Sequence, residues 1–104
     1  VQANEYQKAT NQFAIYYKPN ELPYLSLGLV AEAGEVADKV AKFYRGDKDL
    51  EFAEVGKELG DCLWFISQLC NLWHLDMEQL MQDNIDKLAD RQARNKLKGS
   101  GDNR

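Results

Sequence analysis

The sequence predicts an all-α fold: four helices in a single domain over residues 1–104. Three observations lead to that expectation. The chain is rich in Ala, Leu, Glu, Lys, Gln and Asp and holds only two prolines, a composition that favours helix. Apolar residues recur at helical spacing in four separate segments. At 104 residues there is room for one modest core and no more.

The first helix is expected over about residues 3–17, where Tyr6, Ala9, Phe13 and Tyr16 or Tyr17 share a face. It stops at Lys18–Pro19–Asn20, because proline cannot continue a helix and Asn20 suits a turn. The second begins near Pro23 and runs to Arg45, where Gly46 offers a left-handed stop. The third covers about 52–74. The fourth starts at Asp76, whose side chain can cap the helix, with Gln79 three residues later in capping-box position. It continues to about residue 96. The remaining tail, LKGSGDNR, is polar and glycine-rich. It reads as a flexible end, although GSGD is also a sequence whose backbone N–H groups can face an anion.

Several function classes are disfavoured. The formal net charge of −4 argues against a nucleic-acid grip. No apolar run approaches the ~20 residues that span a bilayer. Cys62 and Cys70 lie on one helical pattern, about 12 Å apart along its axis, too far for a mutual disulfide. They read as reduced core thiols of a cytoplasmic protein.

The second and third helices carry acidic pairs beside their apolar stripes. In LGLVAEAGEVADKV, Glu32 and Glu35 fall about 60° apart, on one edge of the stripe formed by Leu25, Leu29, Val36, Val40 and Phe43. In KELGDCLWFISQL, Glu58 and Asp61 occupy the same edge relative to Val55, Cys62, Ile66, Leu69 and Trp73. An antiparallel hairpin of these helices would bring four carboxylates together. Mutual repulsion then requires a cation among them, or protonation of some members. An all-oxygen donor set selects Mg²⁺ or Mn²⁺ over zinc, and Mg²⁺ leans on substrate phosphates. A solvated acidic helix face is the competing reading of either pair alone.

The fourth helix supplies positive charge. Asn84, Lys87 and Arg91 share one face, suited to phosphate oxygens, or else an ordinary basic surface paired with Asp83, Asp86 and Asp90. Lys39 falls on the acidic edge of the second helix, and Phe65 lies beside that edge on the third, where it can stack on a base or pack in the core. Trp64 points to the other side, as an apolar ring at a subunit interface would. His74 closes the third helix.

Together, E-x-x-E at Glu32 and Glu35, E-x-x-D at Glu58 and Asp61, and N-x-x-K at Asn84 and Lys87 resemble the MazG-like superfamily of all-α nucleoside triphosphate pyrophosphohydrolases. LGLVAEAGEVADKV and KELGDCLWFI match that pattern closely. NIDKLADRQARNKLKGSGDNR resembles the C-terminal end of a small bacterial and phage subgroup. The resemblance implies a compact four-helix bundle that completes its active site by homo-oligomerising, as a homodimer or homotetramer, and hydrolysis of a (d)NTP to monophosphate and pyrophosphate with Mg²⁺, Mn²⁺ substituting. It implies Glu32, Glu35, Glu58 and Asp61 as metal ligands, Glu32 or Glu35 as the base, and Asn84, Lys87 and Arg91 as substrate-binding residues, with Phe65 and Lys39 as further candidates. Ala31 stands where some relatives carry an acidic residue, which leaves the metal count open. Two other readings compete: a dUTP- or dCTP-selective diphosphatase of the same superfamily, and a helical oligomerisation module with a vestigial site. A di-iron carboxylate bundle would expect E-x-x-H pairs, which the single histidine does not supply.

Overall fold

The apolar stripes of the two longest helices meet each other, and that contact organises the chain. A computed structural model describes residues Val1–Arg104. The helices are α1 (Ala3–Ala9), α2 (Glu21–Arg45), α3 (Phe52–Leu72) and α4 (Met77–Ala93), with 3-10 turns at Thr10–Phe13 and Lys18–Asn20. There is no strand, so the all-α expectation holds. No helix is long and apolar enough to cross a membrane.

Contacts between α2 and α3 show that the hairpin is antiparallel. Lys39 reaches Glu58, while Gly28 and Tyr24, further back on α2, meet Phe65, further on in α3. Gly46 takes φ +88° and ends α2, with Asp47 N–H donating to the Lys42 carbonyl at 3.0 Å. The same closure ends α3 and α4, with His74 and Asn95 in left-handed backbone at φ +56° and +57°. Leu75 N–H donates back to Cys70 and Lys96 N–H to Arg91. These are Schellman-type stops, and only the first uses the glycine that the motif prefers. Asp76 caps α4 as expected, accepting from Gln79 N–H at 3.0 Å, although the Gln79 side chain turns to Asp83 rather than back to the cap.

Two boundaries differ from expectation. The first helix stops at Ala9 and tightens into a 3-10 turn, leaving Phe13 exposed. Polar side chains hold this segment to α3. Thr10 Oγ1 and Ser67 Oγ lie 2.7 Å apart. Gln68 Nε2 donates to Thr10 Oγ1 and to Asn11 Oδ1. Asn71 Nδ2 donates to Asn11 Oδ1 and the Gln7 carbonyl. Buried polar groups hold a structure only when every partner is satisfied, and no buried side-chain atom here lacks one. The fourth helix ends at Ala93, three residues early.

The tail is not a loose end. Arg104 donates to the carbonyls of Lys96, Leu97 and Gly101, which folds the last residues back onto the end of α4.

The expected compactness is also corrected. The radius of gyration is 16.6 Å, where a compact domain of this length has about 13 Å. Helix α4 packs mainly on α1 and not along the hairpin, so no closed four-helix core forms. Only eight residues are buried, and the apolar faces of α2, α3 and α4 keep Val30, Leu63 and Ile85 exposed.

Candidate metal centre and phosphate face

The antiparallel hairpin places the middle of α2 against the first half of α3, and this register builds an acidic cluster. One carboxylate oxygen each from Glu32, Glu58 and Asp61 lie within 4.8 Å of one another. Glu32 and Glu58 are half-buried and Asp61 is exposed. The fourth carboxylate of the expected set, Glu35, is not in this group. It is exposed and lines a neighbouring depression of about 290 Å³ with Asp38, Lys39, Lys42, Lys48 and Glu54. Glu35 is offset by about 60° around α2 from Glu32.

The electrostatics follow from this crowding. Burial raises the proton affinity of Glu32 above the usual carboxyl range, and a hydrogen bond to Glu58 and the charges of Asp61, Glu58 and Glu35 add to it. Burial also raises the Cys62 thiol, with Glu32, Asp61 and Glu58 contributing. Tyr6, from α1, is raised by burial and then by the charge of Asp61. The one cation at the group is Lys39, whose Nζ lies 3.8 Å from Glu58 Oε1. One lysine against three carboxylates leaves the site an excess of negative charge.

Glu32 has a raised pKa in the folded chain, so its contribution is fully present below its unfolded pKa and is lost as pH rises through the folded value. In EDTA, the melting temperature should rise as pH falls from 7 toward the ordinary carboxyl range, and Glu32→Gln should flatten that rise. Calorimetry at several pH values checks this; an unchanged slope in the variant contradicts it.

Phe65 is buried, 9% exposed. Its ring meets Gly28, Tyr24 at a centroid distance of 5.8 Å and Trp64 at 5.1 Å. That is a packing position, one turn from Asp61. Trp64 joins the same aromatic cluster. It is half-buried, with its ring edge-on to Tyr16 at 6.4 Å. His74 ends α3 as expected and lines a cleft with α4.

That cleft, about 450 Å³, is also lined by Asn84, Lys87, Asp83, Gln79 and Leu80. Asn84 and Lys87 thus open onto a common space, as their spacing implied. None of Glu32, Glu58 and Asp61 lines it, so one chain does not join the acidic cluster and the α4 face in a single cavity. Arg91 departs from the expected role: its side chain is 6% exposed and paired with Asp102 at 3.2 Å. Lys87 Nζ meets the same carboxylate at 2.8 Å, which holds the Asp102 carboxyl below its ordinary range. The tail residue Asp102 had no signal in the sequence beyond its position after a glycine pair.

Comparison with known proteins adds a family. The family model described as the MazG nucleotide pyrophosphohydrolase domain matches residues 22–94, the span from α2 to the end of α4. The Gene 37 protein of Mycobacterium phage L5 is 39% identical over an alignment of 110 residues, covering 95% of this chain and 96% of that protein. No solved structure matches.

Proposed function

Because the chain belongs to the MazG nucleotide pyrophosphohydrolase family, we propose that it hydrolyses a (deoxy)nucleoside triphosphate between the α- and β-phosphates, releasing monophosphate and pyrophosphate. The observation that carries this reading is the convergence of Glu32, Glu58 and Asp61 within 4.8 Å. The role is shaping or sanitation of a nucleotide pool; a dUTP- or dCTP-selective diphosphatase uses the same site, and a vestigial module would have no need of the cluster.

The donor set fits a divalent cation. Three carboxylates converge with a single lysine beside them, and their oxygens suit Mg²⁺ or Mn²⁺. Glu32, Glu58 and Asp61 would hold the ion, with Glu35 as a fourth or outer ligand. When bound, it supplies charge neutralisation for the phosphates and a lowered pKa for water. The chain's own residues do the rest. Glu32, or the exposed Glu35 one helical turn on, would accept the proton of the attacking water. Lys39 tethers Glu58. Asn84 and Lys87 bind the triphosphate oxygens and offset charge building on the leaving pyrophosphate.

The acidic cluster and the α4 face share no cavity within one chain, while the apolar faces of α2, α3 and α4 remain open. A homodimer or homotetramer that sets α4 of one copy near the hairpin of another would complete the site and cover those faces. One experiment tests both parts. Size-exclusion fractions are assayed over the eight common (d)NTPs, with inorganic pyrophosphatase coupled to phosphate detection. Activity should be Mg²⁺-dependent and elute as a dimer or larger. Turnover in a stable monomer contradicts the assembly, and no turnover of any (d)NTP contradicts the function.

A further inference from the structure

The last eight residues are anchored more firmly than their composition suggests, and they converge on the lysine assigned to phosphate. Gly99 and Gly101 take φ +127° and +87°, left-handed positions that side-chain-bearing residues rarely adopt. They turn the chain so that Asp102 returns to α4. Arg104 fastens this turn, donating to the carbonyls of Lys96 at 3.1 Å, Gly101 at 2.8 Å and Leu97 at 2.9 Å. Arg94 donates to the Arg104 carbonyl at 2.7 Å.

At the centre is Arg91, 5% exposed. Its guanidinium donates to the backbone carbonyl of Asp102 and to Asp102 Oδ1. A buried guanidinium cannot reach a substrate without removal of the tail. It can fix the residue it holds, and that residue's Oδ1 accepts from Lys87 Nζ at 2.8 Å. The Lys87 side chain remains 39% exposed and opens onto the cleft shared with Asn84. An ammonium has three N–H donors; one is engaged by Asp102 and two remain. A lysine loses much rotamer freedom when it binds a ligand, and a partner that orders it beforehand removes part of that cost.

We propose that the loop Leu97–Arg104 is a positioning element for substrate phosphate, in which buried Arg91 holds Asp102 and Asp102 aims Lys87 into the α4 cleft. This rests on the reading of Lys87 as a phosphate-binding residue. Asp102 is a positioning residue and touches no reacting atom. A tail that merely plugged the cleft would act in the opposite direction, competing with phosphate.

The test uses the full chain, the most rapidly hydrolysed (d)NTP, and inorganic pyrophosphate as a competing probe. Asp102→Ala should raise KM and the inhibition constant of pyrophosphate about three- to tenfold, the ordering cost of one long side chain, with Mn²⁺ affinity by calorimetry unchanged. Asp102→Asn keeps an acceptor for Arg91 but not the charge that holds Lys87. It should melt like the wild type and still raise KM, so loss of folding cannot mimic the result. Asp102→Glu should recover part of the loss. In a Lys87→Ala background, Asp102→Asn should have no further effect. A fall in KM on Asp102→Asn, an unchanged KM, or an undiminished effect without Lys87 overturns the proposal. If Lys87→Ala itself retains wild-type kcat/KM, the phosphate reading of α4 fails and this inference fails with it. If Lys87→Ala loses activity and the Asp102 variants do not, the tail inference alone fails.

Discussion

Asp61→Asn and Glu58→Gln should each lower kcat/KM by about a hundredfold or more, because removing even an outer partner of a metal ligand costs about ten- to a hundredfold. Both residues stand in the group whose oxygens lie within 4.8 Å. Their loss should weaken Mn²⁺ binding in calorimetry while leaving the fold intact. In EDTA the variants should melt no lower than the wild type, since each removes one of several repelling charges. Glu58→Gln carries a second signature: Lys39 loses its ion pair at 3.8 Å, a contact that contributes little by itself. Retention of wild-type kcat/KM and Mn²⁺ affinity in both variants would sink the metal-centre reading.

Gly28→Ala should destabilise the chain strongly for its size. An added Cβ would stand 2.2 Å from Phe65 Cε1, and that ring is enclosed by Tyr24 and Trp64. Overpacking of this kind costs about 1–3 kcal/mol, against a helix-propensity gain of up to about 1 kcal/mol. At about 4–8 °C per kcal/mol for a domain of this length, the melting temperature should fall by several degrees, and Gly28→Val should lower it further. Gly56→Ala is the control. Nothing lies within 4 Å of its added Cβ, so propensity acts alone and the melting temperature should rise. Gly28 sits one helical turn from Glu32, and Phe65 one turn from Asp61, so Gly28→Ala should also reduce activity. Equal melting temperatures for Gly28→Ala and Gly56→Ala would contradict this packing account.

How much was legible before the structure depended on the kind of interaction involved. The hairpin was readable because Leu25, Leu29 and Val36 on one helix and Val55, Cys62 and Ile66 on the other repeat at helical spacing. Its acidic edges were readable for the same reason, and three of the four carboxylates converge. Glu35 does not, because the wheel gives direction around an axis but not which edge the partner helix covers. The early end of α1 was hidden. Phe13 fits the stripe, yet Thr10, Asn11 and Gln7 are committed to polar partners on α3 more than fifty residues away. Spacing rules do not see such pairs. Arg91 was misplaced for a related reason. A basic residue on a helix face suggested solvent, while its partner Asp102 lies in a segment whose composition suggested a loose end. Compactness failed because helix count does not reveal whether apolar faces are covered within a chain or by another copy.

The central claim is that the acidic hairpin cleaves the α–β bond with a divalent ion. Its most direct measurement follows a triphosphate labelled at the α-phosphate, with products resolved by anion exchange in Mg²⁺ and in EDTA. The account predicts labelled monophosphate with unlabelled pyrophosphate in Mg²⁺, and no turnover in EDTA. Labelled diphosphate with orthophosphate as first products, or undiminished turnover in EDTA, would contradict it.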